Sequence, residues 1–450
     1  MLIRNARLWP DGAAPADVRT AGDTIAAVGP GLRRGPGDEE VIDAEGCAVL
    51  PGLHDHHVHL RALAATRASI RVGPPEVRTV AGLRQALAGA SGTGWLRCTG
   101  YHESVAGGLD RYALDRLLPG RRPVRVQHRT GALWILNSAA ADALRLDDCD
   151  LPGVERDGRG VPTGRLWRLD SWLAGRAPSA PPDLEAVSRD AAATGVTGFT
   201  DATPGASQSD VDSLACGGAV AQRVYCMAPP EVDAPGPLKI MLDDGTLPAL
   251  DDLTGRIRAA HAANRPVAVH CVTRVQLILT LTALDEAGRH RGDRIEHGAV
   301  IPAGLIPALR GLTVVTQPHF AAERGEEYAS DVDPGDLPDL WRLRSLLEAG
   351  LKVAAGSDAP FGGSDPWRIA AAARDRPRFA GQADESVTCA AALSLFFGEP
   401  GDPATPRRVA PGQPADLVLL RVPPRDALGS PRPGLVAATI AAGRVVYSGG

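Results

Sequence analysis

The run Pro51-Gly52-Leu53-His54-Asp55-His56-His57-Val58-His59 places four of the chain's 11 histidines within six residues. The apolar segment Cys47-Ala48-Val49-Leu50 leads into it. Read as a strand, the run alternates its side chains between two faces, so residues i and i+2 share one. His57 and His59 then point the same way, and two imidazoles can grip one metal ion. Imidazole suits zinc and other borderline divalent ions.

Further along the chain, short apolar segments with polar tips recur between helical stretches. They lie at 195–202, 223–227, 238–242, 267–272, 294–297, 313–317 and 353–357, with helical patterns at 253–263 and 276–287. With the strand that ends at His59 they number eight. Strand and helix alternating eight times predicts a parallel α/β fold, a (β/α)8 TIM-type barrel over 51–404. Residues 62–185 are too long for a simple crossover and carry strand patterns of their own at 95–99 and 124–128. They are expected to form an inserted lid subdomain over the barrel mouth. Strand-and-turn texture at both chain ends, 1–50 and 405–450, predicts one small β-sandwich domain built from both termini, since neither end has enough strands for its own core.

Catalytic groups of a parallel barrel sit at the C-terminal ends of its strands. Here those ends hold His57 and His59, then His270 in Val-Ala-Val-His, His297 in Arg-Ile-Glu-His and Asp358 in Gly-Ser-Asp-Ala-Pro. Lys239 lies on the fourth strand, in Leu-Lys-Ile-Met. Taken singly, each has a plain structural reading: a hydrogen-bonded polar residue, an Asx turn, a solvated strand end. Taken in barrel order, they predict one metal site.

Composition narrows the alternatives. The 450 residues are 44% hydrophobic and 22% charged, as in an ordinary globular protein. A net charge of −5 suggests neither a nucleic-acid nor a membrane surface. The start, Met1-Leu2-Ile3-Arg4-Asn5, lacks the apolar core of a signal peptide, and no stretch approaches about 20 apolar residues. Seven scattered cysteines read as reduced thiols, so a cytoplasmic location is expected. Only two of the 48 basic residues are lysines, Lys239 and Lys352. A GC-rich coding bias accounts for the arginines, and a lysine retained against it invites a chemical reason.

The arrangement resembles the amidohydrolase superfamily of metal-dependent hydrolases over nearly the whole chain. Within it the chain looks most like the YtcJ-like branch, which includes N-substituted formamide deformylases. The resemblance rests on the run at 51–59, Asn137-Ser138-Ala139-Ala140, Pro162-Thr163-Gly164, Arg294-Ile295-Glu296-His297 and Gln317-Pro318. A weaker match runs from Pro411-Gly412 through Ala415-Asp416-Leu417-Val418. It implies that His57, His59, His270, His297 and Asp358 are metal ligands, and that a carboxylated Lys239 bridges two ions. Two departures bear on the substrate. Arg168 stands where the branch often has Glu, and Gly131-Ala132 where it often has Gly-His.

The expected activity is therefore hydrolysis of a non-peptide C–N bond, amide or formamide, in a small-molecule substrate. One or two divalent ions, most simply zinc, would lower the pKa of water toward about 7. Asp358 would take the water proton and pass it to the leaving group, and His297 would polarise the carbonyl or hold an ion. The same ligands also suit a deaminase, a cyclic-amide hydrolase, an esterase or lactonase, or a decarboxylase; a non-catalytic binding protein fits them worst. His319, at the end of the seventh strand, is a candidate substrate contact. Arg165 and Arg168 are candidates for clamping a substrate carboxylate, with a solvated face as their plainer reading. A homodimer is left open.

Overall fold

The computed structural model of this protein describes residues 1–449 apart from 11, 13, 36–38, 121, 179–180 and 433. The chain divides into two compact units, one of residues 1–60 and 184–450, the other Arg61–Asp183. No helix of the described residues is long and apolar enough to cross a membrane.

In the first unit the central strands are β1 (Leu53–Val58), β2 (Val196–Asp201), β3 (Arg223–Cys226) and β4 (Leu238–Ile240). They continue with β5 (Val267–Cys271), β6 (Arg294–His297), β7 (Thr313–Thr316) and β8 (Lys352–Ala355). β1, β2 and β3 pair in parallel as one sheet, and β4 to β8 pair in parallel in chain order as another. Two seams join the sheets. The Lys239 amide donates to the Ala228 carbonyl at 3.2 Å just beyond β3. At the other seam the Asp358 amide donates to the His57 carbonyl at 2.7 Å and the His59 amide to the Ala359 carbonyl at 2.9 Å.

β1, β2, β4, β6 and β7 are buried along their whole length, as parallel strands covered on both faces are. Helix Arg274–Ala287 covers β5. Thr273 caps it by accepting from the Gln276 amide, and Leu277, Leu281 and Leu284 form its buried stripe at helical spacing. One expected helix is missing. Between β3 and β4 residues 227–237 form a loop, because Pro229, Pro230, Pro235 and Pro237 remove amide donors and break any helix. Arg265 takes the helix's place. Its guanidinium donates to the carbonyls of Ala228, Pro229 and Gly236 at 2.9–3.0 Å.

Both chain ends share one eight-stranded mixed sheet. Its order runs Arg444–Ser448, Val436–Ala441, Leu417–Leu420, Ala48–Pro51, Leu2–Leu8, Pro15–Ala21 and Thr24–Gly29, with Val41–Asp43 beside Leu2–Leu8. In hydrogen bonding the expected sandwich is this single continuous sheet. The sheet passes straight into β1 through Gly52. A Cβ there would lie 2.1 Å from Thr197 Oγ1, so only glycine fits. The Gly52 amide donates to the Asp416 carbonyl at 2.7 Å, and buried Arg407 donates to the Gly52 carbonyl at 2.5 Å while pairing with Asp416 at 3.3 Å. These contacts hold β1 at a fixed height, and with it the histidines at its end.

The second unit is Arg61–Asp183. It carries a six-stranded sheet ordered Val154–Arg156, Pro162–Trp167, Leu133–Leu136, Val124–His128, Leu96–Tyr101 and Ile70–Arg71. The strand at 133–136 is a four-residue apolar run, Leu-Trp-Ile-Leu, and its partner at 162–167 opens on the turn residues Pro-Thr-Gly, so neither is expected as a strand from the sequence.

Candidate metal centre

Alternation along β1 sends Asp55 and His57 to one face and His54 and His56 to the other. The His54 and His56 rings lie tilted against each other with centroids 4.6 Å apart, and His54 Nε2 meets Thr200 Oγ1 on β2 at 2.9 Å. His57 is fully buried and lies against β8. A Cβ on Gly356 would stand 2.5 Å from the His57 Cβ, so glycine is what lets the two strands approach. Two residues later Asp358 takes a left-handed backbone, φ 51°, which turns its carboxylate back toward His57 and His59.

Asp358 Oδ1 lies 3.2 Å from His59 Nε2 and 3.6 Å from His57 Nε2. One ligand atom from each of these three residues lies within 4.8 Å of the other two. His297, also left-handed at φ 68°, brings its Nδ1 to 3.9 Å from Asp358 Oδ2. Its ring centroid is 4.7 Å from that of His57 and 4.6 Å from that of His270 on β5. The expected histidines and Asp358 thus meet where β1, β5, β6 and β8 end.

The electrostatics suit a cation. Burial, then the Lys239 charge, holds His57 well below the ordinary imidazole value, so it is neutral and offers a lone pair. Burial also lowers His297. Burial opposes ionisation of Asp358, but His59 beside it and the surrounding imidazoles outweigh it and hold the carboxyl below the usual carboxylate range. Beneath it, burial pushes Asp55 up to about 6 although Ser357 and the His57 amide donate to it. Lys239 is only 6% exposed; burial lowers it, while Glu296 and Asp358 favour its charged form.

The donor set fits a metal ion. Two ligand atoms about 2.0–2.1 Å from a tetrahedral ion stand roughly 3.3 Å apart, and the observed spacings bracket that value. His57 Nε2 and Asp358 Oδ1 are both buried without a hydrogen-bond partner, a costly state that an ion between them relieves.

Other expected residues are placed as follows. His319 is buried at the end of the loop after β7, beneath Gly362, with neither ring nitrogen hydrogen-bonded. Arg165 and Arg168 lie in the second unit. There Arg165 donates to Glu155 at 3.1 Å and to the Leu109 carbonyl at 2.9 Å, and the Arg168 amide donates to the Ala132 carbonyl. Sequence reasoning passed over Asp55, Arg294, Glu296 and Gln317. Period-two alternation did mark Asp55 as sharing the His57 face, and Arg294 and Glu296 as sharing one face of β6. Gln317 was marked only as part of the Gln317-Pro318 resemblance, with no role; its Oε1 accepts from His297 Nδ1 at 2.9 Å.

Residues 40–447 match the amidohydrolase family. N-substituted formamide deformylase of Arthrobacter pascens is 25% identical over 470 positions, covering 86% of each chain. The putative amidohydrolase YtcJ of Bacillus subtilis is 24% identical over 400 positions, covering 74% of each. An uncharacterized metal-dependent hydrolase from Pyrococcus furiosus shares the fold with a TM-score of 0.70 at 17% identity, covering 94% of this chain and 99% of that one. Atrazine chlorohydrolase TrzN of Arthrobacter aurescens TC1, solved with zinc, does so with a TM-score of 0.59 at 16% identity, covering 99% and 95%. With a family match spanning nearly the whole sequence and a His-His-Asp cluster where the parallel strands end, this chain belongs to the amidohydrolase family and is a metal-dependent hydrolase.

Proposed function

We propose that the protein hydrolyses a non-peptide C–N bond, an amide or N-substituted formamide, at a divalent ion held by His57, His59 and Asp358 in the mouth of a closed (β/α)8 barrel. The observation that carries this is the trio of ligand atoms within 4.8 Å of one another, two of them buried without a hydrogen-bond partner. The two hydrogen-bonded seams support closure of the barrel. The formamide class is supported by the similarity to the Arthrobacter pascens enzyme. Zinc is the simplest ion for this donor set. Seven free cysteines support a reducing, cytoplasmic setting.

When bound, the ion supplies Lewis acidity toward the carbonyl and lowers the pKa of water to about 7. Asp358, held ionised, accepts the proton of the attacking water. It then delivers that proton to the departing nitrogen, so the amine leaves neutral. His297 is held by Gln317 through Nδ1, which leaves the Nε2 lone pair free to bind a cation or accept a substrate proton. His319 is the candidate contact for the acyl side of the substrate.

A binuclear version has its own support. Lys239 is buried and interacts with the charges of Glu296 and Asp358. Its neutral amine can add to carbon dioxide, losing one proton and giving a carbamate able to bridge two ions; His270 and His297 would hold the second. Arginine cannot take this role.

Elemental analysis of purified protein, chelation and zinc re-addition test the reading, alongside a panel of formamides, acyl amides, lactams and lactones. Metal-dependent turnover of the first two classes is expected, and its loss in His57→Ala. Turnover of lactones alone, or full activity after chelation, would overturn it.

A further inference from the structure

The two histidines of the metal pair are not supported alike. His59 Nε2 meets Asp358 and its ring edge meets Phe361 at 5.5 Å. His57 instead donates its Nδ1–H to the carboxylate of Glu296, 239 residues away on β6. His57, Glu296 and Arg294 are all 0–1% exposed. Arg294 donates to Glu296 Oε1 through Nε and, at 3.3 Å, to Oε2, the oxygen that also faces His57, through Nη2. The same Nη2 donates to the His56 carbonyl at 2.6 Å, on the residue next to His57.

We propose that Glu296, braced by Arg294, is a positioning residue that sets the affinity of His57 for the metal ion; this rests on the metal reading above. A neutral imidazole carries one N–H. A carboxylate facing Nδ1 takes that hydrogen there and leaves the lone pair on Nε2, which is the nitrogen 3.6 Å from Asp358 Oδ1. The negative charge also makes Nε2 a stronger donor to a cation. Arg294 stops the carboxylate from rotating and ties β6 to the backbone of β1. A buried Arg–Glu pair is weak evidence for stability, because desolvation offsets its attraction. Its orientation toward a metal-site imidazole gives it a reason to be there.

The test measures Zn2+ affinity by competition with a chromophoric chelator, and Co2+ uptake by visible absorption, in wild type, Glu296→Gln and the double variant Arg294→Met/Glu296→Gln. Glutamine keeps an oxygen for His57 but loses the charge, and alone it leaves Arg294 buried and uncompensated. The double variant removes that strain and decides the matter if the single variant does not fold. Glu296 also acts on the Lys239 charge, so the comparison is repeated with Lys239→Met. Zinc affinity is expected to fall about 10–100-fold in both Glu296 variants, with turnover restored by correspondingly higher Zn2+. The Co2+ band should shift, while the circular dichroism of the apo double variant stays that of wild type. Wild-type zinc affinity in the double variant would overturn the relay and leave the metal site standing. A wild-type protein that takes up neither ion would overturn both.

Discussion

Gly356→Ala tests whether the approach of β8 to β1 builds the site. An alanine Cβ would stand 2.5 Å from His57 Cβ, 2.6 Å from its N and 2.9 Å from its Cα. Favourable carbon contacts begin near 3.5 Å, so the strands must part by about 1 Å. Their backbones are rigid at this point, since the Asp358 amide bonds the His57 carbonyl at 2.7 Å. Overpacking of this kind costs about 1–3 kcal/mol. The same displacement carries Asp358 away from His57 and His59, whose spacings of 3.6 and 3.2 Å suit one ion. A misplacement of about 1 Å costs roughly 10²-fold in rate. Urea unfolding of the apo protein, zinc affinity and kcat measure the three effects. Gly304→Ala is the control, because nothing lies within 4 Å of its Cβ; its stability should change by no more than about 0.5 kcal/mol. An apo Gly356→Ala protein with a wild-type unfolding midpoint and undiminished zinc affinity would refute the reasoning.

Three further outcomes are expected. Asp358→Asn should lower kcat by about 10²–10⁴-fold with the fold intact, since asparagine cannot take a proton at neutral pH; near-normal turnover removes Asp358 from the proton transfer. If the site is binuclear, Lys239→Met should reduce the metal content from two ions per chain to one by elemental analysis, and an unchanged content ends the carbamate reading. Glu385, fully buried, accepts from the Leu343 and Ser345 amides at 3.0 and 2.9 Å and pairs with Arg342 at 3.3 Å. Glu385→Gln should therefore cost about 3–5 kcal/mol of stability, read by urea unfolding, while the metal content stays that of wild type.

The run at 51–59 determined a good deal by itself, because a strand's period of two is a local property. That His57 and His59 share a face, and that Asp55 lies on it, needs no partner strand to be true. The parallel strands were legible for a similar reason: an apolar run bounded by turn residues must be buried on both faces wherever it packs. Tertiary structure decided what local rules cannot reach. Which strand ends meet depends on the order and height of the strands, set here by Gly52, by Gly356 and by Arg407 beneath β1. The left-handed turns at His297 and Asp358 aim two side chains into the site, yet neither residue announces that backbone as a glycine would. The prolines before β4 forbid a helix locally, but what satisfies that loop's carbonyls is Arg265, some thirty residues later in the chain. The contact of Glu296 with His57 joins residues 239 positions apart. The sequence shows a charged pair on one face of β6, but only the folded neighbourhood gives it an imidazole to hold, since a buried charge is stable only beside the partner that the fold supplies.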